Sequence, residues 1–214
     1  MPSKGAIPKL EESKMKEFVT IGYSYNELNE TAKECVKQWY LEDETRSQLF
    51  TEDIYYYLKE NFPQSDLKVC YSLSYCQGDG LNIYGTLYLH DFLNVWNVPD
   101  GVKSIMSHYI ENSESEFTFE NDNHYCYSCK FVDKKYIEDY VEKMCDDLVY
   151  NGIKRINTDL VRQFYVDMLD YFEELDRKFE EDGYKYLYEV EDEEIAECCE
   201  VNDWYFTKDG KFIA

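Results

Sequence analysis

The first half of this chain contains the stretch VCYSLSYCQGDGLNIYGTLYL, residues 69–89. Apolar and polar residues alternate on both sides of the segment QGDG, which is the pattern of β-strands that bury one face. The two glycines of QGDG can adopt positive φ, as a tight turn between antiparallel strands requires. The stretch therefore predicts a β-hairpin. Its turn is either a plain connection or an exposed contact loop that presents Gln77 and Asp79 to a partner.

Alternating and helical patterns extend the prediction along the chain. The other elements predicted before residue 134 are a strand over residues 16–23, helices over residues 28–41 and 51–62, and a second hairpin over residues 117–132. The elements predicted after it are helices over residues 136–150, 158–182 and 191–200, with Gly183 ending the long helix, and a hairpin over residues 204–212. Residues 184–190 fit either a strand or a helix.

These elements predict an α+β fold. An antiparallel sheet of about four to five strands, formed by two hairpins, packs against amphipathic helices. Residues 1–133 form the sheet-containing part, and residues 134–214 form an acidic helical part with a terminal hairpin. At 214 residues the chain is long enough to bury a core, and we expect the two parts to form one continuous domain.

The composition is strongly acidic. The chain holds 45 aspartates and glutamates but only 22 lysines and arginines, which gives a net charge of -23. A surface of this charge repels nucleic acids and anionic membranes and attracts basic proteins. Hydrophobic residues make up 44% and aromatic residues 17% of the chain, so the acidity belongs to a folded protein. Solubility alone is the simplest explanation of the charge.

The sequence also predicts where the protein resides. The N-terminal residues contain no apolar run of the kind found in signal peptides. No window approaches the stretch of about 20 apolar residues that spans a bilayer. We therefore expect a cytoplasmic protein whose eight cysteines are reduced and mostly buried as small apolar groups.

The negative charge is concentrated near the C-terminus. Residues 167–203 contain sixteen acidic and three basic residues, which is more than half of the whole excess. On the long predicted helix the carboxylates, Asp176 among them, lie away from the apolar stripe. We predict that this region binds a partner through Asp167, Asp170, Glu173, Glu174, Glu180, Glu181, Asp182, Tyr184, Tyr186, Tyr188, Glu189, Glu191, Asp192, Glu193 and Glu194. The alternative is a solvated helix face without a binding role.

Metal and catalytic motifs are weak. Cys126 and Cys129 form a Cys-x-x-Cys pair with His124 before it, but on a predicted strand the two cysteines point to opposite faces. No second such pair completes four zinc ligands, although Cys198 and Cys199 are available. None of the three histidines lies in a catalytic motif. We therefore expect no metal, no cofactor and no enzymatic activity.

A resemblance to small uncharacterised proteins of bacteriophages and mobile elements is carried by two stretches, YSLSYCQGDG over residues 71–80 and DWYFTKDGK over residues 203–211. The resemblance is confined to these stretches and identifies no catalytic position. It implies a phage-encoded accessory protein that acts in the cytoplasm of a bacterial host. Acidic proteins of that kind include DNA mimics that inhibit host defence nucleases, such as anti-CRISPR and anti-restriction proteins.

Charge and resemblance together give the leading hypothesis, a non-enzymatic inhibitor of a host defence nuclease such as a CRISPR effector. We expect its carboxylates to occupy the groove in which the nuclease holds nucleic acid, while the tyrosines contact arginines. The first alternative is an interaction module that binds another host protein through the QGDG hairpin and nearby aromatic residues. The second alternative is a small enzyme of unknown type.

Overall fold

The computed structural model describes residues 20–76, 78–120 and 136–213. Their contacts group into two compact units. The larger unit contains the described residues between 41 and 190, and the smaller one contains residues 20–40 and 191–213. Residue 133, after which the sequence predicts a division of the chain, lies outside the described residues, so this division stays a prediction.

The larger unit contains an antiparallel sheet. Its strands are β1 (Asp66–Ser72), β2 (Gly80–Tyr88) and β3 (Glu116–Phe119), in the order β1-β2-β3. In the β1–β2 hairpin Asp66 pairs with Thr86 and Ser72 pairs with Gly80, which confirms the hairpin predicted around QGDG. The predicted four to five strands are not confirmed, because the described residues form three. Residues 16–19 and the turn at residues 121–123 lie outside the described residues.

Helices make up most of the remaining described chain. They are α1 (Glu30–Leu41), α2 (Glu44–Asn61), α3 (Leu89–Val95), α4 (Asp100–Glu111), α5 (Ile137–Tyr150), α6 (Thr158–Tyr188) and α7 (Asp192–Val201). The α+β class is therefore confirmed. Within the described ranges, no helix combines the length and the apolar character that crossing a membrane requires.

Helix α2 begins earlier than the prediction that placed its start at residue 51. The carboxylate of Asp43 accepts a hydrogen bond of 2.9 Å from the backbone N–H of Thr45 and so caps the helix. The apolar stripe used for the prediction starts later and does not show this cap. The short helices α3 and α4 were not predicted, because β2 passes directly into α3 at Leu89 without a turn signal.

The hydrophobic core of the larger unit lies between the sheet and α6. Leu81, Ile83 and Leu87 of β2 have no exposed surface, because alternate residues of a strand point to the same face. Helix α6 covers this face, and the ring centroids of its Phe172 and of Phe119 in β3 lie 4.7 Å apart. This packing fixes the position of α6 relative to the β1–β2 hairpin.

Helix α6 continues through Gly183 to Tyr188, so the prediction that Gly183 ends this helix is wrong. A Cβ atom at this position would lie 2.5 Å from Leu73 Cδ1 and 2.8 Å from Phe50 Cζ. The glycine is therefore required by a close approach between α6 and its neighbours, and it does not serve as a helix stop. Consequently the last turn of α6 extends beside the loop that connects β1 and β2.

An aromatic cluster organises the smaller unit. The ring of Trp39 stacks on Phe212 with centroids 4.9 Å apart, and it meets Trp204 edge-on at 5.3 Å. The predicted C-terminal hairpin is present as a tight turn in which Gly210 has a φ of 79° and Phe206 pairs with Phe212. This turn places the last aromatic residue of the cluster.

Candidate functional site

The loop between β1 and β2 is organised by the carboxylate of Asp79. One oxygen accepts hydrogen bonds of 3.0 Å from the hydroxyl of Ser72 and from the thiol of Cys76. The other accepts from the backbone N–H groups of Ser74, at 2.5 Å, and Cys76, at 3.0 Å, and from the hydroxyl of Tyr184, at 2.9 Å. This carboxylate therefore closes the loop on itself and ties it to α6.

These hydrogen bonds shift the acidity of the groups that make them. The thiol of Cys76, and then the backbone N–H groups and the Tyr184 hydroxyl, hold the pKa of Asp79 well below its usual range, although partial desolvation opposes them. The same interaction raises the pKa of the Cys76 thiol. Desolvation, together with the hydrogen bond to Asp79, raises the pKa of Tyr184 to about 12. Asp79 is therefore charged, and both hydroxyl and thiol are protonated, at neutral pH.

Three tyrosines meet above this loop, and Tyr75, Tyr184 and Tyr188 are called the tyrosine cluster below. The ring centroid of Tyr75 lies 4.6 Å from that of Tyr184 and 4.8 Å from that of Tyr188. The hydroxyl of Tyr188 donates to the backbone carbonyl of Leu73. Hydrogen bonds as well as ring contacts therefore join the two α6 members of the cluster to the loop.

Tyr75 is the most exposed member of the tyrosine cluster. Its side chain is 68% exposed and its φ is 54°, in the left-handed region that side chains other than glycine seldom adopt. Burial of the ring cannot be what maintains this backbone conformation. The hydrogen bonds that Asp79 accepts on both sides of Tyr75 hold it instead, so the loop presents a large aromatic ring to solvent.

A groove borders the tyrosine cluster. It has a volume of about 500 Å³ and shares Leu73, Ser74 and Tyr188 with the loop and the last turn of α6. Its other side carries the exposed carboxylates at the start of α2, which are Glu42, Asp43 and Glu44. The surface beside the cluster is therefore concave and acidic.

Two of the acidic residues on α6 have structural partners inside the larger unit. The carboxylate of Asp167 accepts hydrogen bonds from the indole of Trp96, at 2.8 Å, and from the side chain of Gln163, at 2.6 Å. Asp176 is fully buried and accepts from the backbone N–H of Ile83 in β2, at 2.9 Å. The interpretation that Asp176 lies on the charged face is therefore wrong, and Asp167 contributes to the fold.

The other predicted carboxylates of α6 lie at the surface. The exposed ones are Asp170, Glu173, Glu174, Glu181, Asp182 and, directly after the helix, Glu189. Glu180 is half-buried, and desolvation, followed by the negative charges of Asp79 and Glu181, raises its pKa. Glu180 thus lies one helical turn before Tyr184 and close enough to Asp79 to be affected by its charge.

The acidic residues at the start of α7 belong to the smaller unit. Glu191 precedes the helix, and Asp192, Glu193 and Glu194 occupy its first turn, all exposed. The helix dipole stabilises a carboxylate at a helix N-terminus, typically by about 0.3–1 kcal/mol for each charge at low ionic strength. Stabilisation of α7 is therefore enough to explain why these four positions are acidic.

Tyr186 does not belong to the tyrosine cluster. The guanidinium of Arg46 lies 4.6 Å above its ring and donates to its backbone carbonyl, and Phe50 packs on it with centroids 5.9 Å apart. This residue therefore supports the fold. The contribution of Tyr75, by contrast, was not predicted, because strand alternation placed it in β1 and gave no sign of positive φ.

Candidate metal ligands are not grouped in the part of the chain that the structure describes. No group of three His, Cys, Asp or Glu side chains among them could hold a metal ion. Cys126, Cys129 and His124 lie outside the described residues, as does Gln77 of the contact loop. What the described surface combines is aromatic rings, hydroxyl groups and carboxylates, which together bind cations.

No family model, curated protein or solved structure matches this chain. The described features that bear on function are the tyrosine cluster, the Asp79 loop and the surface carboxylates of α6.

Proposed function

We propose that this protein is a non-enzymatic inhibitor that binds a basic, nucleic-acid-binding surface of another protein in the bacterial cytoplasm. The observation that carries the proposal is the juxtaposition on one surface of the larger unit of the tyrosine cluster and the carboxylates around Tyr184. Asp79 and Glu180 lie beside this tyrosine, and Glu181 directly follows Glu180 in α6. Tyrosine is one of the residue types that most often contribute strongly to protein–protein binding.

The electrostatic basis of the proposal is competition with phosphate groups. Residues four apart on a helix are about 6 Å apart along its axis. One strand of duplex DNA carries a phosphate about every 3.4 Å. A surface with several carboxylates at helical spacing can thus pair with lysines and arginines that otherwise hold a nucleic-acid backbone, through charge-assisted hydrogen bonds.

The class of partner follows from the sequence resemblance to phage accessory proteins. A protein of that origin gains from blocking a host defence nuclease, and a CRISPR effector is the most specific form of the proposal. Such an enzyme exposes a basic groove when nucleic acid is absent. Its charge is complementary to the surface of α6, and the net charge of -23 favours encounter with it.

A second candidate is an interaction module whose partner does not bind nucleic acid. It is favoured by the Asp79 hydrogen-bond network, which holds the backbone at Ser74 and Cys76 and reduces the conformational entropy lost on binding. In this case the loop and the tyrosine cluster carry the affinity, and salt has little effect on binding.

Capture of partners from a lysate of a bacterial host tests the proposal. Full-length protein is immobilised, and bound proteins are identified at about 50 mM and about 200 mM salt, with and without excess duplex DNA. We expect the captured proteins to be nucleic-acid binders that are released by salt and by DNA. Capture of proteins without nucleic-acid-binding activity, unaffected by salt and by DNA, would contradict the proposal and favour the interaction module.

A further inference from the structure

The tyrosine cluster presents an unusual combination of exposure and order. Tyr75 contacts the rings of Tyr184 and Tyr188, yet 68% of its surface remains exposed. Hydrogen bonds hold both sides of the cluster, from Tyr184 to Asp79 and from Tyr188 to Leu73. A flat ring that is both exposed and fixed is suited to stacking against a planar group of a partner.

Negatively charged groups lie beside Tyr184, whose ring contacts that of Tyr75. The Asp79 carboxylate is engaged by donors from Ser72, Ser74, Cys76 and Tyr184, so it supplies charge but has little capacity left for another donor. Glu180 lies one helical turn before Tyr184. Partial desolvation, followed by the negative charges of Asp79 and Glu181, raises the pKa of the Glu180 carboxyl group. A cation beside this group therefore stabilises its charged form.

We propose that the tyrosine cluster is the site at which one arginine side chain of the partner binds, with its guanidinium stacked on Tyr75 and its charge neutralised by Glu180. This inference rests on the proposed function, because it assumes a basic partner. Arginine fits this site better than lysine because a guanidinium is planar, stacks on aromatic faces and donates several hydrogen bonds in a fixed geometry. A lysine ammonium is a strongly hydrated point charge without a stacking face.

The same helix already contains one contact of this kind. The guanidinium of Arg46 lies 4.6 Å above the ring of Tyr186. In the sequence, Tyr186 lies between Tyr184 and Tyr188, the two members of the tyrosine cluster that belong to α6. There the contact is internal and part of the fold. At Tyr75 the corresponding ring is exposed, and the carboxylate of Glu180 replaces the backbone carbonyl as the acceptor.

Calorimetric titration of the full-length protein with an oligoarginine peptide and an oligolysine peptide of equal length tests the inference. We expect the arginine peptide to bind more tightly. The change Tyr75→Ala should weaken arginine binding by about two- to fivefold, the size of an exposed cation–π contact, and should leave lysine binding nearly unchanged. Tyr75→Phe keeps the ring and should restore the arginine preference. Glu180→Gln should weaken binding of both peptides.

Tyr56 provides the matched control, because it is 72% exposed and also lies in the larger unit. The change Tyr56→Ala should not alter the arginine preference. Equal binding of both peptides, without an effect of Tyr75→Ala, would overturn the arginine site while leaving a basic partner possible. If neither peptide binds at low salt, the proposed function is contradicted as well, so the two failures are distinguishable.

Discussion

The hydroxyl of Tyr184, in the last turns of α6, donates a hydrogen bond of 2.9 Å to the carboxylate of Asp79 in the β1–β2 loop. These two residues are separated by 105 positions in the chain. Their contact joins the loop to the acidic helix and gives the tyrosine cluster its fixed geometry. If this contact organises the surface, then substitutions at either residue should have coupled effects.

Coupling between Asp79 and Tyr184 is therefore the first prediction. Asp79→Ala and Tyr184→Phe should each lower the midpoint of thermal unfolding, and the double variant should lose less than the sum of the two, because both remove the same hydrogen bond. Circular dichroism melts of the four proteins measure this. Asp79→Ala combined with Tyr56→Phe is the control pair, and it should be additive. Additive losses for the first pair would show that the hydrogen bond does not contribute.

The stability conferred by Asp79 should depend on pH. Its pKa is lowered in the folded protein, chiefly by the Cys76 thiol, so the carboxylate stabilises the fold above the unfolded pKa of about 4. The contribution is lost as pH falls through the folded value. The difference in unfolding free energy between the wild type and Asp79→Asn should thus be constant near neutrality and shrink below about pH 4.

Urea unfolding at a series of pH values measures that difference. Asp53→Asn, at an exposed position of α2, controls for the loss of one surface carboxylate. A difference for Asp79→Asn that remains undiminished at about pH 2 would contradict the assigned direction of the shift.

Gly183→Ala should destabilise the protein although alanine is the better helix former. The gain in helix propensity is up to about 1 kcal/mol. A Cβ atom here would lie 2.5 Å from Leu73 Cδ1 and 2.8 Å from Phe50 Cζ, and both side chains are buried. Overpacking of this kind costs about 1–3 kcal/mol, so we expect a net loss in chemical unfolding experiments.

Gly101→Ala is the matched control for that substitution. Gly101 also lies in a helix, α4, but a Cβ atom there would meet nothing within 4 Å. This variant should be neutral or slightly more stable than the wild type. Equal behaviour of the two alanine variants would mean that the close approach at Gly183 does not constrain the sequence.

Asp176 and Glu181 should behave differently although both are acidic residues of α6. Asp176→Ala removes the buried acceptor of the Ile83 backbone N–H and should cost about 1–3 kcal/mol of unfolding free energy. Glu181→Ala changes an exposed residue and should stay within about 0.5 kcal/mol of the wild type. Urea titrations at neutral pH compare them, and a similar cost for both would refute the structural role of Asp176.

Local patterns predicted the elements of this fold better than their ends. The hairpin around QGDG follows from strict alternation, and α6 begins where Asn157 accepts a hydrogen bond from the Leu160 N–H at 3.2 Å. The end of α6 was predicted too early because a glycine such as Gly183 can either end a helix or allow the helix to pack closely against a neighbouring element. Only the positions of Leu73 and Phe50, which are distant in sequence, decide between them.

The candidate site was predicted only in parts. Asp79, Tyr184 and Tyr188 were each identified, but their proximity depends on how α6 packs against the sheet. Tyr186 was grouped with the other two tyrosines while residues 184–190 fitted either a strand or a helix, and only on a strand would the three share a face. On a helix, residues two apart point roughly 200° apart, whereas residues four apart share a face. Tyr186 therefore turns inward to Arg46, while Tyr184 and Tyr188 meet Tyr75.

The structure also changes which carboxylates give the sharpest test of binding. Charge reversal at the start of α7 alters a helix N-terminus and so confounds binding with stability. Glu181 and Asp182 are exposed in the interior of α6 and can be reversed without that effect. Glu181 lies three residues before Tyr184, at a spacing that makes the two residues neighbours on the helix surface. Glu52 and Asp53 form an equally exposed acidic pair on α2, and they supply a control with the same change in net charge.

The most direct measurement is the dissociation constant for the nucleic-acid-binding partner captured from the host, determined at low and high salt for these two reversal variants. We predict that Glu181→Lys with Asp182→Lys weakens binding by about tenfold or more and reduces its salt dependence, as loss of favourable interfacial charge does. The pair Glu52→Lys with Asp53→Lys should bind nearly as the wild type does. Equal weakening by both pairs would show that overall charge, and not the surface beside the tyrosine cluster, drives binding, and it would contradict the central claim.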